Sequence, residues 1–186
     1  MIIKTKAVEK SLIKQLDDLT KSENFYWNLS HENLDLPKYD KLTEGMTLNK
    51  KYKSKYTHQL VHMLYKKGLP NRSPYQEMFN NAFKQIVNNI IKQNVELLRM
   101  KVNLLFKTDK NKPNNFHLDD KSDPNYRTCI LYLNNSDGDT LIYFKNNLKR
   151  IKPEAGKVVI FDGDLYHTSS NPVKTNYRKV VNINFR

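Results

Sequence analysis

Cysteine, glycine and long apolar runs are scarce in this sequence of 186 residues. The one cysteine, Cys129, excludes an internal disulfide and fits a reducing cytoplasm. The five glycines form neither a phosphate-cradling loop nor a Gly-x-Ser-x-Gly elbow. No apolar run approaches membrane-spanning length, and the N-terminus lacks the apolar core and cleavage site of a signal peptide. These absences predict a cytoplasmic protein without a membrane partner.

Acidic residues are also few: the chain has 19 of them and 32 lysines and arginines, which gives a net charge of +13. Such a charge makes nucleic acid a possible partner. The excess consists mostly of lysine in an asparagine-rich sequence, which a biased base composition would also produce. Basic runs such as Lys50 to Lys55 are typical of a solvated surface. With 38% hydrophobic residues, the chain is predicted to fold as a single domain over residues 1–186.

Residues 1–97 are predicted to form a helical and loop-rich part that supports the core. Apolar spacing indicates helices over 8–19 and 57–67, and an aromatic segment at 25–29 indicates a short strand. The stretch up to Asn49 is typical of a connecting loop. A longer helix over 73–97 would begin at a capping box, with Ser73 as the cap and Gln76 as its partner.

The period of the sequence changes after residue 97. Turn signals separate short apolar segments that are predicted to be strands, namely 100–106, 128–133, 140–144, 157–161 and 179–185. Short strands at this spacing after a helical half predict a mainly β, α+β fold. Its core over 98–186 would be a jelly roll, or double-stranded β-helix, buttressed by helices.

Two histidines and one aspartate form the main candidate site. His117 and Asp119 are two residues apart, so on an extended backbone both side chains leave the same face. His167 follows a predicted strand and could join them at the mouth of a barrel. Two imidazoles and one carboxylate suit Fe(II) and leave coordination positions open. Each residue alone is also compatible with a surface turn or a buried structural histidine, and their combination favours the metal site.

Two further residues are predicted to hold an anionic co-substrate beside that metal. Arg178 enters the last predicted strand, and its guanidinium offers a bidentate fork to a carboxylate. Tyr132, on the strand after the His-x-Asp segment, could donate a hydrogen bond to the same carboxylate. Tyr132 could equally be an ordinary core residue.

Other constellations predict less. His58 and His62 have the i, i+4 spacing of a zinc site on a helix, but no glutamate base lies between them. The two Asp-Gly-Asp segments at 137–139 and 162–164 are too short for a calcium loop and indicate turns. Cys129 lies in an apolar strand, where a buried inert thiol is expected.

The C-terminal half resembles the 2-oxoglutarate and Fe(II)-dependent oxygenases, and within them the prolyl-4-hydroxylase-like branch with its short bacterial and phage relatives. The resemblance implies a double-stranded β-helix, His117, Asp119 and His167 as iron ligands, and Arg178 and Tyr132 as contacts of 2-oxoglutarate. Two positions depart from the family pattern, because Asp137 replaces a glycine before Gly138 and Arg178 stands where many relatives have lysine. The resemblance rests on His117-Leu118-Asp119, 128–134, 138–140, 151–153, 156–161, His167, 172–173 and Arg178.

The activity implied by this resemblance is hydroxylation of a peptide, a protein side chain or an amino acid, with O2 consumed and succinate and CO2 as co-products. One alternative is an AlkB-like nucleic-acid demethylase, which the +13 charge favours. Those enzymes carry an Arg-x5-Arg pair near their end. Its absence here speaks against this alternative, because the residue six positions after Arg178 is Asn184. The other alternative is a non-catalytic jelly-roll binding module. The primary substrate stays unidentified at this point.

Overall fold

The computed structural model describes residues 1–30, 44–54, 57–70, 73–121, 123 and 125–186. The described part of the first half contains three α-helices, and a single π-helical turn, Val87–Ile91, extends the third of them. The helices are α1 (Lys10–Leu19), α2 (Glu44–Lys51) and α3 (Gln76–Ile86). The strands are β1 (Ile2–Lys4), β2 (Asn28–Ser30), β3 (Gln59–Lys66), β4 (Leu97–Phe106), β5 (Arg127–Tyr132), β6 (Thr140–Phe144), β7 (Asn147–Ile151), β8 (Val158–Asp162), β9 (His167–Ser169) and β10 (Tyr177–Phe185).

These strands form two antiparallel sheets. The larger sheet has seven strands in the order β1-β8-β5-β10-β4-β3-β2, and the smaller has three in the order β7-β6-β9. The central strand of the larger sheet, β10, pairs along most of its length with β4 on one side and β5 on the other. The predicted fold class, a mainly β jelly roll with a few buttressing helices, is confirmed.

The larger sheet separates two layers of buried side chains. One face packs against α1 and α3 through alternate apolar residues of its central strands, such as Leu131, Val181 and Ile183. Because side chains alternate along a strand, the intervening residues face the smaller sheet. There Ile130 and Val180 pack with Ile142 of β6. The candidate site lies on this second face, between the two sheets.

The predicted helix over 57–67 is wrong, because this segment forms β3. Apolar residues at Leu60, Val61 and Leu64 have helical spacing, but both edges of the segment pair in the sheet, with β4 on one side and β2 on the other. A short apolar pattern does not distinguish a buried strand from a helix. Here backbone pairing with two neighbouring strands determines that the segment is a strand. Three strands of the larger sheet therefore come from residues 1–97, the part predicted to be helices and loops.

Two other N-terminal expectations change in detail. Residues 44–51 form α2, although the sequence up to Asn49 predicts a loop; the preceding residues 31–43 lie outside the described part. The capping box at Ser73 does not form, since α3 begins at Gln76 and the Ser73 hydroxyl contacts His62 Nε2 at 2.8 Å. The long helix predicted to reach residue 97 ends with the π-helical turn at Ile91, after which Lys92 adopts a left-handed conformation at φ 57°.

The five strands predicted after residue 97 all form, and their ends lie within three residues of the predicted ones. Two strands in this half have no predicted counterpart. The strand β7 is charged and mostly exposed, and β9 has only three residues, so neither carries a strong apolar signal. No helix in the described part of the chain is long and apolar enough to cross a membrane.

Candidate metal centre and co-substrate cavity

His117 and His167 are brought together by direct backbone pairing. The amide of each donates to the carbonyl of the other, at 3.0 and 3.1 Å, in an isolated antiparallel bridge. Their ring centroids consequently lie 4.7 Å apart. Asp119 follows two residues after His117, and its Oδ2 lies 3.7 Å from His167 Nε2. The predicted cluster of two histidines and one aspartate therefore exists in the structure.

Both imidazoles are held by backbone carbonyls on their Nδ1 side. Nδ1 of His117 donates to the carbonyl of Asn115 at 3.0 Å, and Nδ1 of His167 donates to that of Leu165 at 3.0 Å. This assigns the proton to Nδ1 and leaves the lone pair on Nε2, which is the usual arrangement of metal-binding histidines. Burial, assisted by the neighbouring His167, lowers the pKa of His117 to about 4, so its imidazole is neutral at neutral pH.

Asp119 is a buried carboxylate surrounded by donors. Arg99 Nη2 lies 2.6 Å from its Oδ1. Its Oδ2 accepts hydrogen bonds from Asn184 Nδ2 at 2.9 Å and from the Thr128 hydroxyl at 3.2 Å, with Asn182 Nδ2 at 3.3 Å. Burial alone would raise the pKa of Asp119, but the Arg99 guanidinium holds that pKa well below its usual range. The side chain is thus an anion in a buried place.

These three residues fit a divalent metal ion. His167 Nε2 is buried and has no hydrogen-bond partner in the described part of the chain, a costly state for a buried lone pair that a metal would relieve. One ligand atom from each residue lies within 4.8 Å of the others. Because such metal–ligand bonds are about 2.0–2.2 Å long, an ion would draw the three atoms slightly closer together. Two neutral imidazoles and one carboxylate are the donor set that suits Fe(II) with open positions.

Arg178 lies in the same cavity and is 4% exposed. Its Nε donates to the carbonyl of Gly138 at 2.9 Å, and its Nη2 donates to the Thr140 hydroxyl at 2.7 Å. No carboxylate of the described residues lies within ion-pair distance of this guanidinium. A buried cation without an anionic partner is unfavourable, so the geometry is that of a site for an anion.

Tyr132 lies behind Arg178 instead of at the cavity wall. Its hydroxyl donates to the Thr140 hydroxyl oxygen at 2.7 Å, and its ring centroid is 5.7 Å from the Arg178 guanidinium carbon. Thr140 therefore accepts from both residues, which leaves its own hydroxyl hydrogen available to a ligand. Among the described residues, Thr140 lines the cavity and Tyr132 does not.

The cavity has a volume of about 660 Å³. Its wall includes four of the five predicted site residues, namely His117, Asp119, His167 and Arg178. Its floor carries polar side chains from alternate positions of the two central strands: Arg99, Lys101, Asn103, Asn182 and Asn184. The space is therefore large enough for a small dicarboxylate and part of a second molecule, and much of it is polar.

Helix α2 positions the segment that enters the metal centre. The side-chain oxygen of Asn49 accepts from the amide of Phe116 at 2.7 Å and from the Ser54 hydroxyl at 2.8 Å. Phe116 packs in a small apolar cluster with Leu48 and Leu141. Asn49 thus fixes the backbone immediately before His117, a function that no local sequence pattern indicates.

The weaker constellations have structural explanations. His62 is fully buried on β3, with Nδ1 near the Tyr26 carbonyl at 2.9 Å and Nε2 near Ser73. Burial lowers its pKa, despite the contact with the Tyr26 carbonyl. A zinc site with His58 is wrong in its premise, because the segment is not a helix. Cys129 is buried in the helix-facing layer, and burial raises the pKa of its thiol.

Asp137, which departs from the family pattern, fastens the loop that precedes β10. Its Oδ2 accepts from the amides of Val173 and Lys174, both at 3.0 Å. Its Oδ1 accepts from the amide and the hydroxyl of Thr175, both at 2.9 Å. Although desolvation acts to raise the pKa of Asp137, these four hydrogen bonds hold it well below the usual range. The substitution thus anchors the approach to Arg178.

Comparisons with known proteins agree with this geometry. Residues 103–186 match the model of the 2OG-Fe(II) oxygenase superfamily. No curated protein matches the sequence. The fold is similar to a prolyl-4-hydroxylase from Pseudomonas putida, at 14% identity and a TM-score of 0.61, covering 100% of this chain and 91% of that one.

Two other similar structures differ in their reactions. One is a prolyl hydroxylase from Trichoplax adhaerens in complex with a peptide of hypoxia inducible factor, at 12% identity and a TM-score of 0.66, covering 99% of this chain and 82% of that one. The other is the epimerase SnoN with Fe3+, alpha ketoglutarate and nogalamycin RO, at 8% identity and a TM-score of 0.64, covering 99% and 77%. At these identities the likeness shows the shared fold. Over its C-terminal region, this chain is thus similar to the 2OG-Fe(II) oxygenase superfamily, in which Fe(II) is the metal and 2-oxoglutarate the co-substrate.

Proposed function

We propose that this protein is a dioxygenase that hydroxylates a peptide, a protein side chain or an amino acid, with 2-oxoglutarate and O2 as co-substrates. His117, Asp119 and His167 would hold Fe(II). Arg178 would bind the distal carboxylate of 2-oxoglutarate. We further propose that the 186 residues act as one domain, because β1, β2 and β3 complete the sheet on which the site lies. The cytoplasmic location stays a prediction.

The observation that carries the proposal is the pairing of two unsatisfied groups in one cavity. His167 Nε2 is a buried lone pair beside a carboxylate, and Arg178 is a buried cation whose carboxylate partner is not among the described residues. A metal ion satisfies the first group and a carboxylate satisfies the second. A single dicarboxylate that also bears a keto group can contact both, which is the chemistry of 2-oxoglutarate.

The side chains prepare this cavity before any ligand enters. The carbonyls of Asn115 and Leu165 keep both imidazoles in the metal-binding tautomer. Thr140 and the carbonyl of Gly138 hold the Arg178 guanidinium in place, so binding a carboxylate requires little reorganisation. Tyr132 supports this arrangement from behind through Thr140. A hydrogen bond from the Tyr132 hydroxyl to 2-oxoglutarate was predicted. We propose that the Thr140 hydroxyl makes this hydrogen bond in its place.

Bound Fe(II) would supply the activation of O2 that couples decarboxylation of 2-oxoglutarate to oxidation of a substrate C–H bond. The protein contributes orientation and partial exclusion of water. The primary substrate would enter over the polar floor formed by β4 and β10. Nucleic acid stays a possible partner because of the net charge of +13.

The proposal is tested by incubating the protein with Fe(II), 2-oxoglutarate and pools of peptides or amino acids. We expect succinate to form and one component to gain the mass of one oxygen atom, and both signals to disappear in His117→Ala. A product without added oxygen would contradict hydroxylation while leaving the oxygenase family intact. Succinate formation that survives His117→Ala would contradict the site itself.

A further inference from the structure

Three residues on neighbouring strands form a row beneath Asp119, which we call the Asp119 clamp. They are Arg99 on β4, Asn184 on β10 and Thr128 on β5. Asn184 lies directly opposite Arg99 in one strand pair and opposite Thr128 in the other. Their side chains therefore stand side by side on the face of the sheet that carries the site.

Hydrogen bonds within the clamp fix the orientation of the Asn184 side-chain amide. Arg99 Nε donates to Asn184 Oδ1 at 2.8 Å, and Asn184 Nδ2 donates to the Thr128 hydroxyl at 3.0 Å. An amide whose oxygen accepts from a guanidinium must direct its NH2 group to the other side. That side is Asp119, whose Oδ2 lies 2.9 Å from Asn184 Nδ2. Arg99 thus sets the orientation of Asn184 as well as contacting Asp119.

The two oxygens of Asp119 are consequently different. Oδ1 faces the Arg99 guanidinium at 2.6 Å. Oδ2 accepts hydrogen bonds from the uncharged side chains of Asn184 and Thr128, at 2.9 and 3.2 Å, and lies 3.7 Å from His167 Nε2. Arg99 is mostly buried, with a side chain 16% exposed, and Asp119 is at 4%, so water screens their attraction weakly. Because the charges of Arg99 and Asp119 oppose each other, this carboxylate attracts a divalent cation less strongly than an unpaired carboxylate would.

We propose that Arg99 is a positioning residue that restricts Asp119 to binding metal through Oδ2 alone. This inference rests on the proposed metal site. A guanidinium on Oδ1 prevents the carboxylate from chelating an ion with both oxygens, and it lowers the affinity of the site for a divalent cation. The coordination positions that Oδ1 would otherwise fill stay open for co-substrate and O2.

The test is a titration of the metal-free protein with Co(II), followed by its visible d–d absorption, which reports coordination number without turnover. In Arg99→Gln we expect Co(II) to bind more tightly, on the order of tenfold, and the spectrum to change as Oδ1 joins the coordination sphere. Arg99→Lys, which keeps a cation near Oδ1, should retain a spectrum close to that of the wild type. Lys66→Gln is the matched control, because Lys66 lies opposite Arg99 on β3, is exposed and carries the same charge.

The outcomes separate this proposal from its premise. If Arg99 only orients the carboxylate, its removal should weaken binding by about 10- to 100-fold without a spectral change, and that result would overturn the proposal. Equal tightening in Lys66→Gln would overturn it as well, since the effect would then be one of general charge. Failure of the wild-type protein to bind Co(II) would remove the proposed metal site and the clamp together. Should Arg99→Gln not fold, Arg99→Met, which keeps much of the apolar stem, carries the same test, and an unchanged spectrum there would overturn the proposal.

Discussion

Along the second half of the central strand β10, both faces of the seven-stranded sheet are buried, and their side chains differ in polarity. On β10, Val181, Ile183 and Phe185 point towards the helices and are each 1% exposed. From the same strand, Asn182 and Asn184 point towards the smaller sheet and are each 5% exposed. Burial alone therefore does not distinguish core from site. Polar groups are costly to bury, so a buried polar face indicates that the sheet was selected to hold something there.

Side chains of the polar face hydrogen-bond to one another and to Asp119, whereas the apolar face gains stability from packing. The expected consequence is a division of labour, in which substitutions on one face change stability and substitutions on the other change chemistry. The predictions that follow are ways to break or sharpen this comparison.

The largest expected effect is on the polar face, at His117. We expect His117→Ala to reduce Fe(II)- and 2-oxoglutarate-dependent succinate formation to background, because one of three proposed metal ligands is lost. Its thermal unfolding should stay close to that of the wild type. Asp123→Ala, an acidic residue on the rim of the same cavity, is the control and should keep its activity. Turnover in His117→Ala would place the metal elsewhere.

The next effect contrasts the two faces of β10 directly. Phe185→Ala removes a fully buried ring that packs against Phe83 at a centroid distance of 5.7 Å. It should lower the free energy of unfolding by about 3–5 kcal/mol. Asn182→Ala, on the opposite face of the same strand, should change stability by less than about 1 kcal/mol. Urea unfolding of both variants measures this, and equal losses would refute the division of labour.

A smaller effect is expected at the co-substrate end of the cavity. Arg178→Met keeps much of the apolar stem but loses the charged donors. The half-saturating concentration of 2-oxoglutarate should rise by about 10- to 100-fold, because hydrogen bonds to charged groups contribute about 1.5–3 kcal/mol. Arg178→Lys should fall between that variant and the wild type. An unchanged requirement for 2-oxoglutarate would move its anchor to another residue.

The smallest effect concerns the loop before β10. Asp137→Asn should cost about 1–2 kcal/mol at pH 7, because it weakens four hydrogen bonds to residues 173–175. The folded pKa of Asp137 is depressed, so its stabilisation is complete above the unfolded value of about 3.9 and is lost as pH falls through the folded value. The stability difference between the two proteins should therefore shrink below pH 4. A difference that grows in acid would contradict this account.

Local patterns in the sequence were sufficient to identify most of the candidate site residues. They include His117, Asp119, His167 and Arg178, and all four line one cavity in the structure. Their proposed roles stay predictions. Five strands after residue 97 were predictable because alternation and turn residues agree there, whereas the exposed β7 and the short β9 carry no such signal.

What escaped prediction depends on pairing between distant segments. Arg99, Asn184 and Thr128 meet because of the register among β4, β10 and β5, and no local pattern encodes that register. Asn49 acts from a helix that was expected to be loop. One signal was nevertheless present, since Asn182 and Asn184 alternate with apolar residues in the second half of β10. Such alternation indicates that one face of the strand is polar.

The central claim is that two histidines, one aspartate and one arginine form a single site for Fe(II) and 2-oxoglutarate. Its most direct test is an anaerobic titration of the metal-free protein with Fe(II) and 2-oxoglutarate, followed by visible absorption. We predict a charge-transfer band that saturates with 2-oxoglutarate, disappears in His167→Ala and needs more 2-oxoglutarate in Arg178→Met. A folded protein that binds Fe(II) but shows no band, or a band that persists in His167→Ala, would contradict the claim.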